Sequence, residues 1–112
     1  MLSFQRLDVY RCAIEFLAMT VEVAEGTPRG NAALLDQLRR AACSIPLNIA
    51  EAAGRTGKPD AARAYAIARG SAMECAAVLD AMSVLKIIDA ATYRRGCTLL
   101  ERVVAMLTKL CR

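Results

Sequence analysis

The chain has 112 residues, 56% of them apolar, with no histidine and a formal charge of +4. That length suits one domain, residues 1–112, around a single hydrophobic core. Without imidazole, Ser-His and Cys-His nucleophile pairs, histidine acid–base chemistry and most transition-metal sites are excluded, so neither an enzyme nor a cofactor is expected.

A mean hydropathy of +0.32 is high for so short a chain. A membrane span needs about 20 apolar residues with few charges, and the best run, Ala64 to Leu85, is cut by Arg69, Glu74 and Asp80. The opening MLSFQRLDVY lacks the basic-then-apolar layout of a secretory signal. A cytoplasmic protein with no membrane contact is therefore expected. The five cysteines, at long spacings and without C-x-x-C, read as reduced, buried small hydrophobes.

Turn signals fall at Gly26–Gly30, at Gly54–Pro59 and near Lys86–Asp89, where Asp89 is placed to cap a last helix. Between them lie four stretches rich in Ala, Leu and Met, which favour helix. The first spans roughly Leu7 to Ala24. It carries one apolar stripe of Leu7, Tyr10, Ile14, Leu17, Val21 and Ala24 and a second of Cys12, Phe16, Met19 and Val23. At about 100° per residue these lie on different sides. A helix of an isolated bundle needs one apolar face; this one has two.

The second helix spans roughly Asn31 to Ala53. Its core face is Leu34, Leu38, Ala41, Ala42, Ile45, Ile49 and Ala52, flanked by a polar stripe through Arg40, Ser44, Asn48, Glu51 and Arg55. Pro46 sits mid-helix and deprives the Ala42 carbonyl of its N–H partner, at a cost of about 3 kcal/mol. A break with Asn48 as a new N-cap leaves only about one turn before Gly54. One helix bent at Pro46 is the better reading. Asn48 and Glu51 need partners if buried, and Arg40, Arg55 and Arg69 are the candidates. In the bland reading, the stripe docks the second helix and carries no ligand.

The third helix spans roughly Pro59 to Leu85, with Pro59 tolerated in the first turn. It is apolar nearly all round, which implies burial on most sides. The fourth spans roughly Ala90 to Cys111. Its stripe is Tyr93, Cys97, Leu100, Val104, Leu107 and Cys111, widened by Leu99, Val103, Met106 and Leu110; Arg94, Arg95, Arg102 and Lys109 lie opposite. Short connections predict an all-α, antiparallel, up-down-up-down four-helix bundle. The two-sided apolarity of the first and third helices predicts a homo-oligomer, although 22 alanines inflate the apolar count.

QLRRAACSIPLNIAEAAGR followed by YAIARGSAMEC resembles the bacterial 23S ribosomal RNA intervening-sequence proteins. The family pattern is an S-I-P-x-N-I-A-E-G block, a G-R turn and an I-A-R-G-S-x-x-E block. Ser44, Pro46, Asn48, Glu51, Gly54 and Arg55 match the first part, and Arg69, Gly70, Ser71 and Glu74 the second. The opening SFQRLDVYRCAIEF resembles the family's start. Ala52 and Ala53 stand where the family has an aromatic after E-G, and Gly57, Ala61 and Ala64 lie where the third helix usually opens with a Ser cap and phenylalanines.

The resemblance implies an antiparallel bundle that assembles as a ring of five. Distant relatives, the accessory proteins of diversity-generating retroelements, bind nucleic acid and a reverse transcriptase. RNA or DNA is therefore the partner expected, contacted by Arg39, Arg40, Arg55, Lys58, Arg94, Arg95 and Arg102. A protein-interaction scaffold is the alternative. A di-metal bundle would need Glu-x-x-His pairs, and GRTGKPD is not a phosphate loop.

Overall fold

A computed structural model describes residues 1–112. It holds a 3₁₀ helix at Ser3–Arg6 and four α-helices: α1 (Asp8–Gly26), α2 (Ala32–Ala53), α3 (Lys58–Val84) and α4 (Ala90–Leu110), with no strand. The molecule is elongated, 44 × 26 × 22 Å. Each helix packs on its neighbours in sequence, α1 also packs on α4, and the backbones of the two diagonal pairs stay apart. The α2–α3 seam is the most extensive. Tie points across the seams are Ser44 with Ser71, Asp80 with Tyr93, Arg69 with Thr108 and Glu22 with Arg95.

The core settles which of the two α1 stripes faces inward. Cys12, Phe16, Met19 and Val23 are buried, joined by Val9, Ala13 and Thr20. The other stripe stays outside: Ile14 and Val21 are 39% and 55% exposed, and Leu7, Tyr10 and Leu17 are half-buried. On α2, Leu38, Ala41, Ala42, Ile45, Ile49 and Ala52 are buried as the periodicity predicts, whereas Leu34 at the helix start is half-buried.

The expected stripe on α4 needs correction. Its buried line is Gly96, Leu99, Leu100, Val103 and Leu107, while Tyr93, Cys97, Val104 and Cys111 lie half-buried on one flank. Gly96 is the reason α4 comes so close at that level. A Cβ there would stand 2.6 Å from Leu79 Cδ1 and 3.0 Å from Met19 Cε.

In the single chain α3 is not buried on most sides. Ala64, Ala68, Ala72, Cys75, Val78, Leu79 and Met82 are buried, but Ala66, Gly70, Met73, Ala77 and Val84 form an exposed, uncharged outer line.

α2 runs unbroken through Pro46, whose ring is buried. The burial of Ile45, Pro46 and Ile49 between α2's neighbours outweighs the lost hydrogen bond, since tertiary packing supplies most helical stability. α3 ends in a Schellman motif. The Ile87 N–H donates to the Met82 carbonyl at 2.8 Å and the Lys86 N–H to that of Ser83 at 3.1 Å. Lys86 takes the left-handed backbone conformation, φ 59°, that this motif requires. At the next element, Asp89 caps α4 by accepting from the Thr92 N–H at 2.7 Å. That bond holds its carboxyl below the usual carboxylate range.

Candidate functional site

The polar stripe of α2 meets α3 at one point. The Ser71 hydroxyl donates to Ser44 Oγ at 2.8 Å. Asn48 Nδ2 donates to the same oxygen at 3.0 Å and to the Ser44 carbonyl at 2.8 Å. All three side chains are half-buried, and no buried side-chain polar atom lacks a partner. Ser44 is thus a junction between helices with its acceptor capacity in use.

The remaining motif residues behave differently. Glu51 is exposed and pairs with Arg55, one of its expected partners. Arg40 instead meets Asp36, and Arg69 leaves the stripe to donate to Thr108 on α4 at 2.9 Å. Gly54 ends α2 with ordinary right-handed backbone and donates to the Ala50 and Glu51 carbonyls. Gly70 faces open space, and Glu74 is exposed.

Two open polar hollows flank the serine junction along the α2–α3 seam. One, of about 310 Å³, is lined by Asn48, Glu51, Arg55, Asp60, Arg63 and Ile67. The other, of about 470 Å³, is lined by Gln37, Arg40, Asp36 and Glu74.

The seven cations expected at phosphate do not form one surface. Arg39 and Arg40 straddle Asp36 at 2.8 and 3.1 Å. The Arg39 hydrogen bond and the Arg40 charge hold that carboxyl below its ordinary value. Arg55 is paired with Glu51, and Arg95 reaches Glu22 on α1 at 2.9 Å. Lys58, Arg94 and Arg102 are exposed and free of ion pairs, but they stand at the start of α3, the start of α4 and the middle of α4.

Outside that set, Arg11 and Lys109 lie on polar strips that the periodicity of the first and fourth helices marks, whereas Arg6 and Arg63 belong to no such pattern; all four are exposed. No spacing along the chain links these four positions to one another.

Apolar surface is open on two sides. A groove of about 630 Å³ between α1 and α2 is lined by Leu17, Val21, Ala24, Leu35 and Leu38, with Asp36 and Arg39 on its rim. A second, of about 390 Å³, lies between α3 and α4, lined by Met73, Ala76, Leu100, Val104 and Ala105 beside Glu101.

The thiols are all free. Burial pushes Cys75 up to about 12, helped by the Glu74 and Cys43 charges, and burial also raises Cys12. Both are protonated at neutral pH and suited to packing, since the thiolate is the nucleophile.

A family model described as 23S rRNA-intervening sequence protein matches residues 5–109. No curated protein matches the chain.

Proposed function

The chain belongs to the family of 23S rRNA-intervening sequence proteins, and from that premise we propose that it is a non-catalytic homo-oligomer that binds nucleic acid through exposed basic side chains. The observation that carries the assembly is the apolar surface left open on opposite sides of one chain. Val21 and Ile14 stand out from α1, and Met73 and Ile67 from α3, each at least 39% exposed. Exposed apolar faces of this kind mark interfaces. The α1–α2 groove and the α3–α4 groove differ in shape and lining, so a contact of one with the other is heterologous and closes as a ring when the rotation per subunit allows. Five is the number that the family resemblance implies.

The helix directions support the reading of an antiparallel, up-down-up-down bundle. Asp80 near the end of α3 meets Tyr93 near the start of α4, whereas Arg69, earlier in α3, meets Thr108, later in α4. The five free thiols suit a reducing, cytoplasmic setting. No helix is long and apolar enough to cross a membrane. The non-catalytic reading rests on the histidine-free composition.

Nucleic-acid binding draws on the +4 charge and on cations such as Lys58 and Arg102 that no carboxylate of the chain neutralises. With little aromatic surface for base stacking, contact should be to the backbone and weaken steeply with salt.

The test is native mass spectrometry of protein purified from cells, before and after nuclease, on wild type, Val21→Glu and Met73→Glu. The expected result is a wild-type mass of several chains carrying nuclease-sensitive excess. Each variant should then give folded monomers, since charges at sites this exposed change single-chain stability by no more than about 0.5 kcal/mol. A monomeric wild type overturns the assembly. An oligomer free of nucleic acid, which also fails to bind added RNA and DNA, favours the protein-interaction scaffold.

A further inference from the structure

Cut across its long axis between the Glu22–Arg95 and Arg69–Thr108 ties, the bundle divides into two unequal halves. One comprises residues 1–16, 43–71 and 101–112. It holds nine of the fifteen basic residues and five of the eleven acidic ones. The other half holds six of each. The entire net charge of the chain therefore resides in one half. The ion pairs sharpen the contrast. In the neutral half Asp36 engages Arg39 and Arg40, and Glu22 engages Arg95. In the charged half only Arg55 is paired.

Four parts of the chain converge at the tip of the charged half: the 3₁₀ helix, the start of α1, the α2–α3 turn and the end of α4. The 3₁₀ helix packs on both α1 and α2, which brings Arg6 and Arg11 towards the turn that carries Lys58. Arg63 follows one turn up α3, and Lys109 and Arg112 end α4. All six are exposed. The helices that begin at this tip, α1 and α3, have Leu7 and Gly57 as N-caps, and neither makes a side-chain capping bond. Their first turns therefore have amides with no side-chain cap, although Pro59 has no N–H and each turn carries a carboxylate, Asp8 or Asp60.

We infer that this tip, and not the dispersed arginines of α2 and α4, is the surface that takes the phosphate backbone of a nucleic acid. The inference rests on the nucleic-acid reading above and assigns it a place. The tip also carries Asp8 and Asp60, but none of its six cations is held in an ion pair, and such an excess of unpaired cations makes a local positive potential that draws in a polyanion. Each lysine or arginine that replaces a condensed counterion adds to affinity and to salt dependence. In any cyclic assembly of one chain, every copy presents its tip at the same level along the symmetry axis, so the surface repeats around one face.

The experiment compares Arg63→Gln/Lys109→Gln with Arg29→Gln/Lys86→Gln, a matched loss of two charges from the neutral half. Fluorescence anisotropy reads binding of a short single-stranded RNA, an RNA duplex and a DNA duplex from about 50 to about 200 mM salt. Circular dichroism and native mass confirm that both variants keep fold and assembly.

The Arg63/Lys109 variant should lose about tenfold or more in affinity. Its log–log salt slope should fall by about 1.5 to 2, near one for each cation removed. The Arg29/Lys86 variant should stay within about threefold of wild type. Comparable losses in both variants, or none in either, would leave nucleic-acid binding intact and overturn the assignment to the tip. No binding by wild type to any probe at the lowest salt would overturn the parent reading and this one with it. If one nucleic acid alone responds to the Arg63/Lys109 change, that one is the ligand of the tip.

Discussion

Ser44 receives a hydroxyl proton from Ser71 and an amide proton from Asn48, so one small side chain joins two helices. Removing it breaks both bonds and leaves the Ser71 hydroxyl without a partner, while Asn48 keeps its bond to the Ser44 carbonyl; removing Ser71 strips only one of Ser44's two donors. Ser44→Ala should therefore cost about 1–2 kcal/mol and Ser71→Ala about half that, as read by urea unfolding. The double variant should cost little more than Ser44→Ala alone, the signature of a shared bond. Equal stability of all three with wild type would show that the junction does not hold the helices, and would free it for a ligand role. Glu51 belongs to a different case. Its pairing with Arg55 is exposed at both ends, and surface ion pairs contribute little.

At the scale of the element, the Schellman ending of α3 places Lys86 where glycine is usual. A left-handed residue with a Cβ carries a penalty of about 1–2 kcal/mol, partly offset by the greater freedom of glycine in the unfolded chain. Lys86→Gly should raise stability by about 0.5–1 kcal/mol, measured as an upward shift of the thermal midpoint. A fall would show that the lysine side chain makes contacts that outweigh its backbone strain.

Other features of the helices were plain in the residue order. Four helices could be read because Ala, Leu and Met runs alternate with Gly- and Pro-containing breaks. The inner stripe of α1 and the core face of α2 could be read because 3.6-residue periodicity is a property of the single helix. What could not be read depends on two elements at once. Gly96 is essential only because Leu79 and Met19 arrive opposite it. Of the candidate site, the Ser44–Asn48 half lies on one helix and was visible as a stripe. The convergence of Arg6, Arg63 and Lys109 is a product of packing and was not.

At the scale of the molecule, each helix packs closely on two others and the backbones of the diagonal pairs stay apart. Three of the four seams join elements adjacent in the chain. The fourth, α1 against α4, joins elements separated by most of the sequence and is fastened by Glu22–Arg95 and by the Cys12 thiol donating to the Leu99 carbonyl at 3.5 Å. Those fasteners have consequences in time. The α2–α3 hairpin forms from local contacts, while the α1–α4 seam must first overcome the entropy of closing a long loop. It should therefore close last during folding and open first in the native state. Hydrogen exchange should show amides of α1 and α4 exchanging through a lower-energy opening than those in the middle of α2 and α3; equal protection throughout would mean that the bundle opens only as a whole. A partner that spans α1 and α4 would act as a latch on the joint where the bundle comes apart.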